Sequence, residues 1–155
     1  MDISNGPGVR VAVFFQGCSF HCNKCFNEET WDFNGGKEYS LDIENKILEF
    51  CSMDYISGLS ILGGEPLNSI NIDSTINLAK RFKEMYPNKT LWIWTGYLFD
   101  EIINKDIYKY ADVIVDGKFV FELRNPNLKY CGSKNQRVID VKRTIQNNII
   151  TLYED

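Results

Sequence analysis

Four short apolar runs, each cut off by a glycine or a small polar residue, constrain this chain more than any other feature. Val9 to Phe15 ends at Gln16-Gly17, Gly58 to Leu62 at Gly63-Gly64, Thr90 to Trp94 at Thr95-Gly96, and Ala111 to Val115 at Asp116-Gly117. Runs of this length, rich in β-branched and aromatic residues, read as buried strands. Helical spacing fills the gaps between them. Ser40 can cap a helix running to about Cys51, with Asp42 and Glu44 in its first turn and Ile43, Ile47, Leu48 and Cys51 on one face. From about Asn71 to Tyr86, Ile72, Ile76, Ala79, Phe82 and Met85 recur at helical spacing until Pro87 stops the pattern. Leu98 to Tyr110 reads as a helix or a broken pair of helical turns, Val138 to Val141 as a fifth strand, and Ile149 to Leu152 as one more.

Strands alternating with helices imply parallel βαβ units with right-handed crossovers. A closed eight-unit barrel takes about 250 residues, or about 31 per unit. The 155 residues of this chain therefore suit about five units. The expected fold is α/β, a partial β/α barrel with a mostly parallel sheet, and a doubly wound sheet is the other arrangement such a pattern permits. With no internal repeat and no linker-like tract, residues 1–155 read as one domain.

Composition narrows the partners. Lys and Arg number 17 against 21 Asp and Glu, a net charge of −4, so no basic footprint for nucleic acid or an anionic membrane is expected. Charged residues at 25% and aromatics at 14% exclude a disordered chain. No apolar run approaches the roughly 18 residues of a membrane span, and the start has no basic stretch followed by an apolar one. These features lead us to expect a cytoplasmic protein whose cysteines are mostly reduced thiols.

Three of the five cysteines fall in one octet, Cys18-Ser19-Phe20-His21-Cys22-Asn23-Lys24-Cys25, with the spacing C-x3-C-x2-C. Structural zinc takes four ligands and the octet offers three thiols; His21, directly before Cys22, is awkwardly placed as a fourth. A 4Fe–4S cluster normally takes four thiolates, so three would leave one iron open, and an open metal position is where substrate binds. Cys51 reads as helix packing, His21 as structural, and Cys131 has no assignment.

In parallel sheets the carboxyl ends of the strands line one edge, where ligands bind. Cys18, Gly63-Gly64-Glu65-Pro66, Thr95-Gly96-Tyr97 and Asp116-Gly117-Lys118 should thus meet around one pocket. Glycines at Gly63 and Gly64 let backbone approach a ligand, and the Glu65 carboxylate can accept from an ammonium; the same residues also suit a plain strand-to-helix turn. Asn5-Gly6-Pro7-Gly8 precedes a strand rather than a helix, so it reads as a tight turn and not a phosphate loop. One of Trp92 and Trp94 should be core, and Lys80-Arg81 and Lys142-Arg143 read as solvated faces.

The cysteine spacing resembles the signature of the radical S-adenosylmethionine superfamily, and Gly63-Gly64-Glu65 resembles its GGE motif. Asn5 to Arg10, Trp94 to Tyr97, Val115 to Phe119 and Gly132 to Gln136 are similar to segments of the glycyl-radical activating enzymes that serve anaerobic ribonucleotide reductase. The resemblance spans nearly the whole chain. It implies one 4Fe–4S cluster on Cys18, Cys22 and Cys25, whose open iron chelates S-adenosylmethionine. It also implies reductive cleavage of that cofactor and hydrogen abstraction from a glycine of the large subunit of anaerobic ribonucleoside-triphosphate reductase, with an electron donor such as a flavodoxin. Gly63, Gly64 and Glu65 would meet the methionine moiety. Lys24 stands where the superfamily often has an aromatic residue near adenine; Lys24 and Phe26 would contact adenine through backbone. Thr95 and Asp116 resemble positions that bind a monovalent cation, with Lys118 near the cofactor carboxylate. The competing readings are a radical enzyme acting on a small molecule and a zinc-stabilised interaction module.

Overall fold

A computed structural model describes residues 1–25 and 27–155. Five strands, β1 (Val9–Phe15), β2 (Ile56–Gly63), β3 (Thr90–Trp94), β4 (Val113–Asp116) and β5 (Arg137–Asp140), form one sheet in sequential order. The first four are parallel, with Phe15 beside Gly63, Ile61 beside Ile93 and Trp94 beside Val115. Strand order never reverses, as it would at the switch point of a doubly wound sheet.

The crossovers follow the sequence pattern. Helix α1 (Leu41–Cys51) is capped by Ser40, whose Oγ accepts from the Ile43 N–H at 3.3 Å, and α2 (Ile72–Met85) stops before Pro87. Leu98 to Tyr110 resolves into two 3-10 turns, Phe99–Glu101 and Lys105–Lys109. Three expectations fail at the end of the chain. β5 runs antiparallel to β4, so the last crossover is not a βα unit, and Val141 opens a helix, α3 (Val141–Asn147), instead of closing a strand. Asp140 is both the last residue of β5 and the cap of α3, its Oδ1 accepting from the Arg143 N–H at 3.0 Å. Ile149 to Leu152 contributes a single bridge, Ile139 to Leu152.

Side chains alternate across the sheet. One face, with Val11, Phe15, Leu59, Ile61, Leu91, Ile93, Ile114 and Ile139, packs in one core with Leu48 of α1 and Leu78 and Phe82 of α2. Cys51 is fully buried in that core, and burial pushes its thiol up to about 12. Arg81 is not simply solvated, because its guanidinium pairs with the buried Glu44 and so ties α2 to α1. Tyr39 also hydrogen-bonds Glu44, and burial, with that carboxylate, pushes its hydroxyl well up.

The opposite face carries a second apolar group, Trp92, Val113 and Val115 with Trp94, Tyr130 and Tyr153. Beside it Arg10 is fully buried, and its guanidinium is held by neutral oxygens. Its guanidinium donates to Ser60 Oγ at 2.8 Å, Leu59 O at 3.0 Å, and Thr90 O and Oγ1 at 2.8 and 2.9 Å. Burial lowers it to about 10, so it stays charged at neutral pH. Ser60 Oγ in turn donates to Asn5 O at 2.6 Å. The Asn5-Gly6-Pro7-Gly8 segment is thus held beside Arg10, whose guanidinium also donates to Pro7 O at 3.3 Å. No helix among the described residues is long and apolar enough to cross a membrane.

Candidate functional site

A cavity of about 430 Å³ opens at the carboxyl ends of β1 to β4. Cys18, Cys22 and Cys25 line it from the segment after β1. Gly63, Gly64 and Glu65 enter from the end of β2, Thr95 from β3, and Lys118 from the end of β4. Lys24 and Asp116 are not on its wall, and Phe26 lies outside the described residues.

Two residues of the cysteine loop, His21 (φ 47°) and Lys24 (φ 54°), are left-handed without being glycine. Such turns point successive backbone N–H groups inward. Cys18 accepts from the Phe20 and His21 amides of that loop and Cys25 from that of Asn27 at 3.4 Å, while Cys22 accepts from the Phe119 amide beyond β4. Burial raises the Cys18 and Cys22 thiols, and these N–H donors oppose it; the Lys118 charge opposes it further at Cys22. N–H donors favour a thiolate, the form that ligates metal. Three sulfurs with such donors on one cavity wall fit an iron–sulfur cluster, whose properties depend on hydrogen bonds to sulfur. No three His, Cys, Asp or Glu side chains among the described residues gather tightly enough to hold a single ion.

The loop is anchored by its own return. The Gly17 N–H donates to Thr30 O at 2.7 Å and the Cys18 N–H to Trp31 O at 3.1 Å. The His21 ring stacks on Trp31 with centroids 4.4 Å apart and planes 6° from parallel. Trp31 lines the cavity, and nothing in the sequence pattern marked it, because it sits in a polar stretch without periodicity.

Gly63 and Gly64 serve first the chain itself. Gly63 has φ +116°, and a side chain there would meet Phe15 backbone at 2.4 Å; at Gly64 a Cβ would lie 2.6 Å from both Gly17 O and Thr30 O. The Gly64 and Glu65 amides donate to Phe15 O and Gly17 O at 2.7 and 2.8 Å. The close approach expected of these glycines is thus made to the segment that begins the cysteine loop.

Glu65 is 1% exposed, and its carboxylate accepts from Leu67 N at 2.9 Å, Thr95 Oγ1 at 2.7 Å and Gly96 N at 2.6 Å. Burial outweighs those donors and pushes its pKa up to about 7. Lys118 Nζ lies 4.8 Å over the Phe20 ring, and Lys24 Nζ 4.1 Å over that of Phe121. Asp116 is fully buried, with Oδ1 accepting from Arg137 Nε at 3.0 Å and Oδ2 from the same guanidinium at 2.6 Å and from Phe99 N at 2.8 Å. The carboxylate assigned by resemblance to a monovalent cation is thus held by Arg137. Trp92 is the core tryptophan, while Trp94 lines the cavity and its Nε1 donates to Tyr130 O at 2.7 Å.

A family model described as a 4Fe-4S single cluster domain matches residues 4–139. The chain is 38% identical over 140 residues to the anaerobic ribonucleoside-triphosphate reductase-activating protein of Vibrio cholerae, covering 88% of this chain and 90% of that protein. To the protein of that name from Enterobacteria phage T4 it is 39% identical over 137 residues, covering 88% of this chain and 87% of the relative. To that of Escherichia coli K12 it is 37% identical over 142 residues, covering 89% and 92%. No solved structure matches.

Proposed function

Because the chain belongs to the family of anaerobic ribonucleoside-triphosphate reductase-activating proteins and carries a 4Fe-4S single cluster domain, we propose that it is a radical S-adenosylmethionine enzyme that places a glycyl radical on the reductase. The observation that carries this reading is the meeting of three cysteines of one loop, each sulfur met by backbone donors, with the ends of β2, β3 and β4 on one cavity.

Cys18, Cys22 and Cys25 would hold one 4Fe–4S cluster with one iron open to the amino and carboxylate groups of S-adenosylmethionine. Reduced by an outside one-electron donor, such a cluster would supply the reductive cleavage of S-adenosylmethionine and, through it, hydrogen abstraction from a reductase glycine. The chain's part is to orient these groups and exclude competitors. Gly63 to Glu65 would meet the methionine end, and Glu65 braces β2 against β3 through Thr95. Lys118, on the cavity wall, would meet the cofactor carboxylate, and Lys24, off that wall, would reach the adenine through its backbone alone. We assign the Asp116 carboxylate to Arg137 and no monovalent cation to it.

We read residues 1–155 as one domain and the sheet as a partial barrel. Its sequential order, with α1 and α2 on one face only, supports this, and an open side admits a loop of another protein. The reductase large subunit is then the partner, with a one-electron donor such as a flavodoxin.

The test is electron paramagnetic resonance on reduced protein, cofactor and reductase, with the reductase glycine deuterated. A glycyl signal and deuterium in 5′-deoxyadenosine are expected. Cofactor cleavage without a radical on the reductase would turn the reading toward a small-molecule substrate.

A further inference from the structure

Trp31 Nε1 is, among the described residues, the one buried side-chain nitrogen or oxygen with no hydrogen-bond partner. An indole N–H can only donate, and buried without an acceptor it forfeits its hydration with nothing in return. The chain does satisfy an indole at this cavity elsewhere, since Trp94 Nε1 donates to Tyr130 O at 2.7 Å. The orphan therefore belongs to the position of Trp31, and that position is on the cysteine side. Trp31 O accepts from the Cys18 N–H at 3.1 Å. Its ring stacks in parallel on His21, the neighbour of Cys22, at 4.4 Å. The residue shares the cavity wall with all three thiols.

We propose that Trp31 Nε1–H donates a hydrogen bond to a sulfur of the iron–sulfur cluster, either a bridging sulfide or a ligating thiolate, and thereby raises its reduction potential. The proposal rests on the cluster reading above. A donor to sulfur stabilises the reduced, more negative state more than the oxidised one, which is how such bonds set potentials. Its effect is to ease the electron's arrival before any cofactor is cleaved.

Trp31→Phe keeps an aromatic ring facing His21 and removes the donor together with part of the ring volume, which is why an isotope experiment accompanies it. Anaerobically reconstituted variant and parent are compared without S-adenosylmethionine. Iron and sulfide content should be equal, and the variant's potential more negative, with about tenfold less reduced cluster at a fixed poise, or about 59 mV for one electron. Equal potentials at full iron content would overturn the proposal. So would an unchanged potential with weaker S-adenosylmethionine binding, which would give the donor to the cofactor instead.

Parent protein labelled with ¹⁵N in its indoles gives a reading independent of whether that variant folds. Pulsed electron paramagnetic resonance of the reduced cluster should show an indole ¹⁵N coupling that persists in Trp94→Phe; its absence would overturn the proposal. A parent protein that takes up no iron would instead bring down the cluster reading itself.

Discussion

Glu65 at the end of β2 and Thr95 just past β3 are joined by a hydrogen bond of 2.7 Å, donated by Thr95 Oγ1 to Glu65 Oε2. With the Gly96 amide on Oε1 at 2.6 Å, one nearly inaccessible carboxylate sets the spacing of two strand ends on the cavity rim. The acid of the glycine-rich motif is thus a brace between strands as well as a lining group.

That brace makes stability depend on pH. The folded pKa of Glu65, about 7, lies above its ordinary value of 4.5, with burial as the cause. Between those values the folded state binds more protons than the unfolded one, so this group's contribution is full below about 4.5 and is lost as pH rises through about 7. Glu65→Gln removes the slope, and its amide cannot accept from all three donors. Denaturant melts at pH 5 and pH 7.5 should show the parent's advantage over the variant shrinking at the higher pH. An equal advantage at both would mean that the folded pKa is not raised.

Gly64→Ala should cost about 1–3 kcal/mol, the scale of overpacking, because the added Cβ would lie 2.6 Å from two backbone carbonyls that cannot rotate away. One of those carbonyls, Gly17 O, immediately precedes Cys18. Iron uptake on reconstitution should therefore fall together with the melting temperature. A variant of parental stability with weaker cofactor binding alone would place the close approach at the ligand instead.

Strands β1 to β4 were legible because each is a short apolar run with a glycine near its end. The cysteine triplet was legible because ligand spacing is local. Helix α3 was not, since only Val141 and Thr144 of its residues are buried, too few to mark a helical period. The antiparallel turn of β5 follows a stretch from Gly117 to Gln136 whose only regular element is one 3-10 turn, which gives no crossover signal. Arg81, Arg137 and Trp31 escaped for a different reason. Each matters through a contact with a residue distant in sequence, with Glu44, Asp116 and the cysteine loop respectively, and composition does not record such contacts.

Asp116→Asn should destabilise the protein by about 3 kcal/mol, the low end for a broken buried pair, since the Arg137 side chain is 37% exposed and regains water. Exchanging alkali cations for a bulky quaternary ammonium should leave cofactor affinity of the parent protein unchanged, because the Asp116 oxygens already hold a guanidinium. Affinity that falls without potassium or sodium would put a cation back in the site.

The five cysteines divide by where they lie. Cys18, Cys22 and Cys25 carry backbone N–H donors on one cavity wall, so Ala at any of them should abolish both the bound iron and S-adenosylmethionine cleavage. Cys51 is sealed in the helix-side core, where Ala leaves a small gap costing about 1–2 kcal/mol with iron content unchanged. Cys131 is the discriminating case, because it lines the same cavity and packs with Trp92 and Val115. If one iron is open to the cofactor, Cys131→Ala should retain about four irons per chain, the content of a 4Fe–4S cluster, and an unchanged signal from the reduced cluster. Loss of iron in that variant would make Cys131 a fourth ligand, close the open position, and remove the place where the cofactor binds.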